Sequence, residues 1–578
     1  MFCRKRRELW LTRVVRRSGP RWRIKIESSN YQLNGGNVKP VISLNFIDYM
    51  ILSAYVLITI IVGYSLKKYM KTSEDFFLSG RSLPSWITSL AFLSANLGAL
   101  EVIGMVANSA KYGILTVHFY WIGAIPAMIF LGLFMMPFYY STRVRSVPEY
   151  LKHRYNEATR GLNALSFAIM TLLMSGISMY AMALLFELML GWSLTSSILL
   201  SALVVLIYVF FGGLSSSIYN EVIQFFLIWL GLLPVVYIGL HAVGGFQGLV
   251  AKIPPDFLNA WRQMGSASQN PMGVDWLGMV LGLGFVLSFG YWTTDFLVVQ
   301  RAMASENLSA ARRTPLIASF PKMLVPIIVV IPGLLAVALL PQFKVVPGGP
   351  TPDYNSALIL MFAHYLPNGI LGLAITGLLA SFMSGMAGNV TAFNTVWTYD
   401  IYGSYIKKNM PDEHYLKMGK YATVFGVLFS IGTAYIVRSF PNLMDYMQLI
   451  FTFFNAPLFA TFLLGMFWKK TTPWAGFWGL LLGILAAATH YLLYQLHVLH
   501  YSSEMAANFY QAWWAWCVDF VMTIIISLFT ARKDEKELVG LVYGLTPKVH
   551  SEERFFKRPA FWGGLSIAVM IVLNIIFW

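Results

Sequence analysis

Fourteen stretches of about 20 or more mostly apolar residues, each long enough to cross a hydrocarbon core of about 30 Å as a helix, follow one another from residue 46 to the end of the chain. They cover 46–66, 84–110, 114–141, 160–190, 193–213, 216–244 and 275–303, then 315–341, 369–402, 417–438, 442–467, 472–497, 510–530 and 559–578. The pattern predicts an all-α integral membrane protein with about 14 transmembrane helices. Several stretches exceed 25 residues and must tilt, break or project beyond the bilayer. Composition agrees. Of 578 residues, 57% are hydrophobic and 12% charged, about half the charge of a soluble domain, and the mean hydropathy is +0.62. Two cysteines exclude a disulfide scaffold and a cysteine-based metal site. No metal-ligand histidine spacing, phosphate loop, nucleophile elbow or dinucleotide fingerprint occurs, so no enzyme activity is expected.

The net charge of +16 reflects topology rather than nucleic-acid binding, because most Lys and Arg residues sit in short loops between apolar runs. Loops after odd-numbered spans carry 24 of them and loops after even-numbered spans 5. This bias predicts a multi-pass protein of the cell (inner or plasma) membrane with both termini extracytoplasmic. The basic tail, 1–45, holds eleven cationic residues and opposes that orientation. It is expected to be disordered; either the natural start lies later or the internal loops outvote it.

Polar groups inside apolar spans are functional candidates by default. The second span, LAFLSANLGALEVIGM, gathers Ser94, Asn96, Gly98 and Glu101 near mid-membrane, and the seventh, GLGFVLSFGYWTTDF, gathers Ser288, Gly290, Thr293, Thr294 and Asp295. Two interrupted helices five spans apart point to an inverted-repeat transporter whose unwound turns offer carbonyls to a cation; close packing of small residues is the alternative. Lys322, about 10 Å into the eighth span at 1.5 Å per residue, either snorkels or pairs with Glu101 or substrate oxygens. In the ninth span Ser381, Ser384, Gly385 and Gly388 share one helical face, a packing seam or a cation site. Glu221 opens the sixth span, as a helix-start carboxylate or as charge on a cation exit path.

These landmarks resemble the sodium:solute symporter family, in particular its sodium/glucose cotransporter-like, bacterial sugar-symporter branch. The resemblance rests on FFLSGRSLPSW (76–86), SANLGALEVIGM (94–105), RVRSVPEYLKHRY (143–155), GGLSSSIYNEVIQ (212–224), YWTTDFLVVQRAMA (291–304) and YDIY (399–402). It implies a LeuT-like fold: a first helix and loop at 46–81, inverted five-helix repeats within 82–245 and 275–470 with discontinuous helices 2 and 7, an extracellular loop at 246–274, and additional C-terminal helices at 471–578. It also implies sodium-driven symport by alternating access. The sodium site would be carbonyls of Ser94, Leu97 and Ser381 with the Ser384 hydroxyl, and Glu221 would stand on the inward path. The family carries a second hydroxyl where this chain has Gly385. Proton coupling through Glu101, Glu221 or Asp295 is therefore the alternative, and Gly385→Ser is expected to lower the sodium requirement.

The same resemblance implies a substrate site of Asn96, Glu101, Tyr120, Ser288, Tyr291, Trp292 and Lys322, with Met105 and Phe119 at an outer gate and Tyr291 at an inner one. Asn96, Tyr291, Trp292 and Lys322 match the sugar branch, whereas Glu101, Tyr120 and Ser288 differ from its bacterial galactose-type residues. A monosaccharide is the favoured cargo; sialic acid, another organic acid or an amino acid is the alternative. A membrane sensor is disfavoured, since no internal loop exceeds about 30 residues. The expected partners are the solute, a coupling ion and the lipid bilayer, with no nucleic acid and no obligatory protein partner.

Overall fold

A computed structural model describes residues 44–66, 77–344, 351–440, 442–545 and 554–578, apart from the side chains of 66 and 207–213. The basic tail expected at 1–45 lies almost wholly outside the described residues. Every apolar stretch named above lies on helix: α1 (Phe46–Leu66), α2 (Ser85–Asn96), α3 (Ala99–Tyr112), α4 (Phe119–Ser141), α5 (Glu157–Leu190) and α6 (Leu194–Val243) come first. Next come α7 (Gly278–Thr294), α8 (Phe296–Met303), α9 (Leu308–Leu339), α10 (Ile370–Ile406) and α11 (Asp412–Val437). The chain closes with α12 (Leu443–Phe467), α13 (Pro473–Gln495), α14 (Glu504–Phe529) and α15 (Pro559–Ile576).

Eleven described helices are long and apolar enough to span a membrane, and thirteen spans result when α2–α3 and α7–α8 are each counted as one bent span. The expected fourteen differ by the fifth. Its apolar part, Leu194–Leu206, is shorter than a span and belongs to the same assigned helix as the sixth, Leu214–Val243. Among the described residues the only strand-like pairing is one bridge between Leu83 and Ser305. The 246–274 segment is not irregular throughout: it carries the helix Gly245–Lys252 and single 3-10 turns at Pro255–Phe257 and Ala267–Gln269.

Helices begin ahead of their apolar runs because polar caps start them. The Asn156, Asn307 and Ser503 side chains accept the backbone N–H groups of Thr159, Ala310 and Ala506 at 2.9, 2.8 and 3.0 Å, satisfying donors that have no partner within the helix. Helices α5, α9, α10 and α12 are largely buried, whereas α1 and α15 leave most of their apolar side chains exposed, as a lipid-facing helix does. Pi-helical turns occupy Phe119–Ala124, Leu131–Met135, Gly278–Leu287 and Val396–Ile406, so the elements beside the two breaks are themselves irregularly wound.

Arg154 fixes the far end of α12. It is fully buried, and its guanidinium donates to the carbonyls of Gly465, Trp468 and Thr471 at 2.6, 3.0 and 3.1 Å. Gly465 lies in the last turn of α12, Trp468 caps it and Thr471 lies in the turn that leads into α13, so the planar fork ties the helix end to the connection after it in a way that a lysine cannot reproduce. Arg154→Ala is expected to cost about 2–4 kcal/mol by leaving buried acceptors unmade. Thermal denaturation in detergent checks this, and Arg154→Lys is expected to recover little of the loss.

Candidate substrate and ion site

The first break lies between α2 and α3, which are bent by 56°. Asn96 ends α2, Leu97 (φ −74°, ψ 44°) leaves helical geometry and Gly98 (φ −67°, ψ 169°) is extended before Ala99 resumes. Gly98 is required by proximity: a Cβ there would stand 3.1 Å from the Gly385 Cα, and a Cβ on Gly385 would stand 2.8 Å from the Gly98 Cα. The unwound segment thus lies backbone to backbone against α10. The Ser381 hydroxyl donates to the freed Leu97 carbonyl at 2.6 Å, and the Ser94 and Ser384 hydroxyls lie 3.1 Å apart. All four residues are fully buried. Serine hydroxyls and an unwound carbonyl are hard oxygen donors, the ligand type an alkali cation takes.

The second break is narrower than the 288–295 run of polar and small residues predicts. Residues 288–294 remain helical, and the interruption is Asp295 alone (φ −72°, ψ 117°), where α7 and α8 bend by 49°. The Thr293 and Thr294 hydroxyls donate back to the Phe289 and Gly290 carbonyls, both at 2.6 Å, so these polar side chains bond within the helix instead of breaking it. Asp295 then caps α8 by accepting the Leu297 N–H at 2.9 Å.

Between the breaks lies a cavity of about 80 Å³. Lys322 of α9, 2% exposed, donates to Glu101 Oε1 at 2.7 Å and to Asn96 Oδ1. Its ammonium lies 4.8 Å from the Tyr120 ring centroid and 5.2 Å from that of Trp292. Asn96 Nδ2 donates to the Tyr291 hydroxyl at 3.0 Å, so one amide at the first break joins α9 to α7. Tyr291 stacks on Phe451 at 5.0 Å and meets Trp292 edge to face at 5.2 Å, while Trp292 stacks on Phe92 at 5.6 Å. The result is a polar edge beside an aromatic wall, the arrangement that holds a solute polar at its rim and apolar on its faces.

Asn96, Glu101, Met105, Phe119, Ser288, Tyr291, Trp292 and Lys322 all line this cavity; Tyr120 sits behind Lys322 rather than on the surface. Ser94, Leu97, Ser381 and Ser384 gather one layer away, and the cavity reaches them through Gly98 and Gly385. Glu221 stands apart. It neither starts a helix nor offers a free charge: both carboxylate oxygens bind Arg301 of α8, at 2.6 and 3.3 Å, and Ser217 donates to Oε1 at 2.7 Å, with Glu221 and Arg301 fully buried.

Sequence reading missed Ser178, Asn389 and Gln448, which also line the cavity. Asn389 follows Gly385 by four residues, so the small-residue face of α10 carried one step further would have reached it. Gln448 lies in a run read as continuous apolar helix and left no signal there.

Comparison with known proteins gives a consistent picture. The model of the sodium:solute symporter family matches residues 76–483. A sodium/glucose cotransporter of Vibrio parahaemolyticus is 29% identical over 461 residues, 77% of this chain and 84% of its own length. Sodium/glucose cotransporter 2 of Rattus norvegicus is 26% identical over 567 residues, 88% and 81% of the two chains. The fold is shared with a sodium-coupled sialic acid symporter solved in a substrate-bound, outward-open state (TM-score 0.72, 21% identity, 85% of this chain and 99% of that one). Mhp1, a nucleobase-cation-symport-1 family transporter, is a more distant match (TM-score 0.51, 12% identity, 80% and 96%). These relatives are transporters, not enzymes.

The Gly98–Gly385 contact reverses the expectation for position 385. A serine there adds a hydroxyl, but its Cβ would stand 2.8 Å from the Gly98 Cα and force the break away from α10. Gly385→Ser and Gly385→Ala are both expected to weaken coupling-ion dependence by at least about tenfold, equivalent to 1.4 kcal/mol. Ion titration of solute uptake measures this.

Proposed function

Because this chain belongs to the sodium:solute symporter family, we propose that it couples sodium entry to the uptake of a small hydroxylated solute, a monosaccharide in the favoured case, by alternating access. The observation that carries the reading is the position of the Lys322–Asn96–Glu101 cluster. It draws Asn96 and Glu101 from the two sides of the first helix break, while Ser381 and Ser384 of α10 meet the same break at the Leu97 carbonyl and at Ser94 of α2. An ion that draws the Ser94, Leu97 and Ser381 carbonyls and the Ser384 hydroxyl around itself fixes the turn that presents Asn96 to the solute. Each ligand then lowers the cost of ordering the site for the other, which is positive coupling.

In this reading, 84–244 and 275–467 are two inverted five-helix halves, and α2–α3 and α7–α8 are their matching broken helices. Loops rich in Lys and Arg face the cytoplasm and both termini face outward. Met105 and Phe119 close the cavity from outside, and Tyr291 with its Phe451 stack closes it from inside. One sodium moving down 100 mV supplies about 2.3 kcal/mol and a tenfold gradient about 1.4 kcal/mol. Together these sustain several-hundredfold accumulation, so one ion suffices. A second reading, proton coupling, has its own support: position 385 lacks a hydroxyl ligand, and the Asp295 carboxylate lines the cavity.

Uptake into proteoliposomes under separate sodium and proton gradients tests the two readings. A sodium gradient alone is expected to drive hexose accumulation; accumulation only under a proton gradient would transfer the coupling to Asp295. Lys322→Ala is expected to abolish uptake while leaving folded protein in detergent. Ser384→Ala is expected to raise the half-saturating sodium concentration about tenfold, the effect of losing one good ligand.

A further inference from the structure

Three charged side chains line the cavity: Lys322, Glu101 and Asp295. Lys322 is the one cation among them, and it is already enclosed. Its ammonium donates to Glu101 at 2.7 Å and to Asn96, and two aromatic faces cover it at 4.8 and 5.2 Å. A lysine this deeply buried needs a counter-charge, and Glu101, 6% exposed, supplies it from the neighbouring broken helix. The pair is therefore neutral as a unit. The third, Asp295, is occupied as the cap of α8, where it accepts the Leu297 N–H at 2.9 Å.

The consequence for cargo depends on charge rather than size. A solute carboxylate entering this space would meet no unpaired cation. It would have to displace Glu101 from Lys322, stranding one carboxylate in a buried site, or lie beside Glu101 and be repelled by it. A neutral polyol meets neither obstacle. Its hydroxyls donate to Glu101, which as a carboxylate accepts more than the one bond it takes from Lys322, while its apolar face rests on the Tyr291 and Trp292 rings. We propose that Glu101 is the residue that sets the charge selectivity of this cavity: by neutralising Lys322 in place, it admits uncharged hydroxylated solutes and rejects carboxylate-bearing ones of the same size. The proposal rests on the monosaccharide reading given above and narrows it, since an acid sugar of similar shape is excluded.

Matched sugar pairs test it in the full-length protein. Sodium-driven uptake into proteoliposomes is measured for glucose against glucuronate and for galactose against galacturonate, in wild type, Glu101→Gln and Glu101→Gln/Lys322→Gln. Wild type is expected to prefer the neutral member of an accepted pair by at least about tenfold. Glu101→Gln keeps the shape but leaves Lys322 without its counter-charge, so preference is expected to move toward the uronate by at least about tenfold. The double variant has no buried cation to offer and is expected to reject the uronate again.

Equal uptake of both members by wild type, or an unchanged preference in Glu101→Gln, overturns the filter while leaving monosaccharide transport standing. Uptake of the uronate alone by wild type overturns both. Uptake of no sugar of either kind overturns the monosaccharide reading, and the filter defined on it falls too. Should Glu101→Gln fail to reach the membrane, the double variant decides: rejection of the uronate supports the filter, and admission overturns it.

Discussion

An ammonium group cannot rest inside a helical bundle without a partner, and the centre of this molecule is organised around one that does not leave the bundle. Lys322 is held from the α2–α3 break by Glu101 and Asn96 and from α7 by the Trp292 face. Asn96 extends the contact to Tyr291. The charge thus selects which elements must converge: one bond comes from each side of the unwound turn, and an aromatic wall stands behind. Removing any one of these groups leaves the others buried without a partner, which is costly. A polar cavity at this depth is a consequence of that requirement.

The same logic recurs along the molecule. Glu221 with Arg301 (2.6 Å), Arg160 with Asp400 (2.7 Å) and Lys111 with Asp445 (2.7 Å) join residues from sequence-distant helices. Each ties an element adjoining a break, or the long helices behind it, to the surrounding bundle: Arg301 lies on α8, Lys111 on α3, Asp400 on α10. Such pairs add little net stability over apolar packing of the same volume, but separating one costs several kcal/mol. They therefore favour discrete arrangements of the half-helices over continuous ones.

Where side-chain ligands are few, the backbone approaches more closely. Gly98 and Gly385 bring the unwound turn against α10 with no side chain between them. Beside that contact the Ser381 hydroxyl meets the Leu97 carbonyl and the Ser94 and Ser384 hydroxyls meet each other, with the two glycines between them and the cavity. The chain gives up a hydroxyl at 385 and gains proximity between the serine cluster and the cavity wall.

Much of this was legible in the chain itself. Apolar length defines membrane spans because the bilayer imposes one thickness on every helix, and buried polar residues stand out because hydrocarbon tolerates them only with a purpose. Hence the helical class, both broken helices, the pairing of Lys322 with Glu101 and the small-residue face of α10 could be read before any coordinates. Three things could not. The second break contracted to Asp295 because the threonine hydroxyls bonded within their own helix. Glu221 was claimed by Arg301, a partner 80 residues away. Position 385 makes a backbone contact with Gly98 that its residue type alone does not announce. Composition and spacing determine which segments enter the membrane and which residue types are out of place there, since those depend on local transfer energies. Which partner each polar group takes is decided by the folded bundle alone, because it depends on distances between helices that the linear order does not contain.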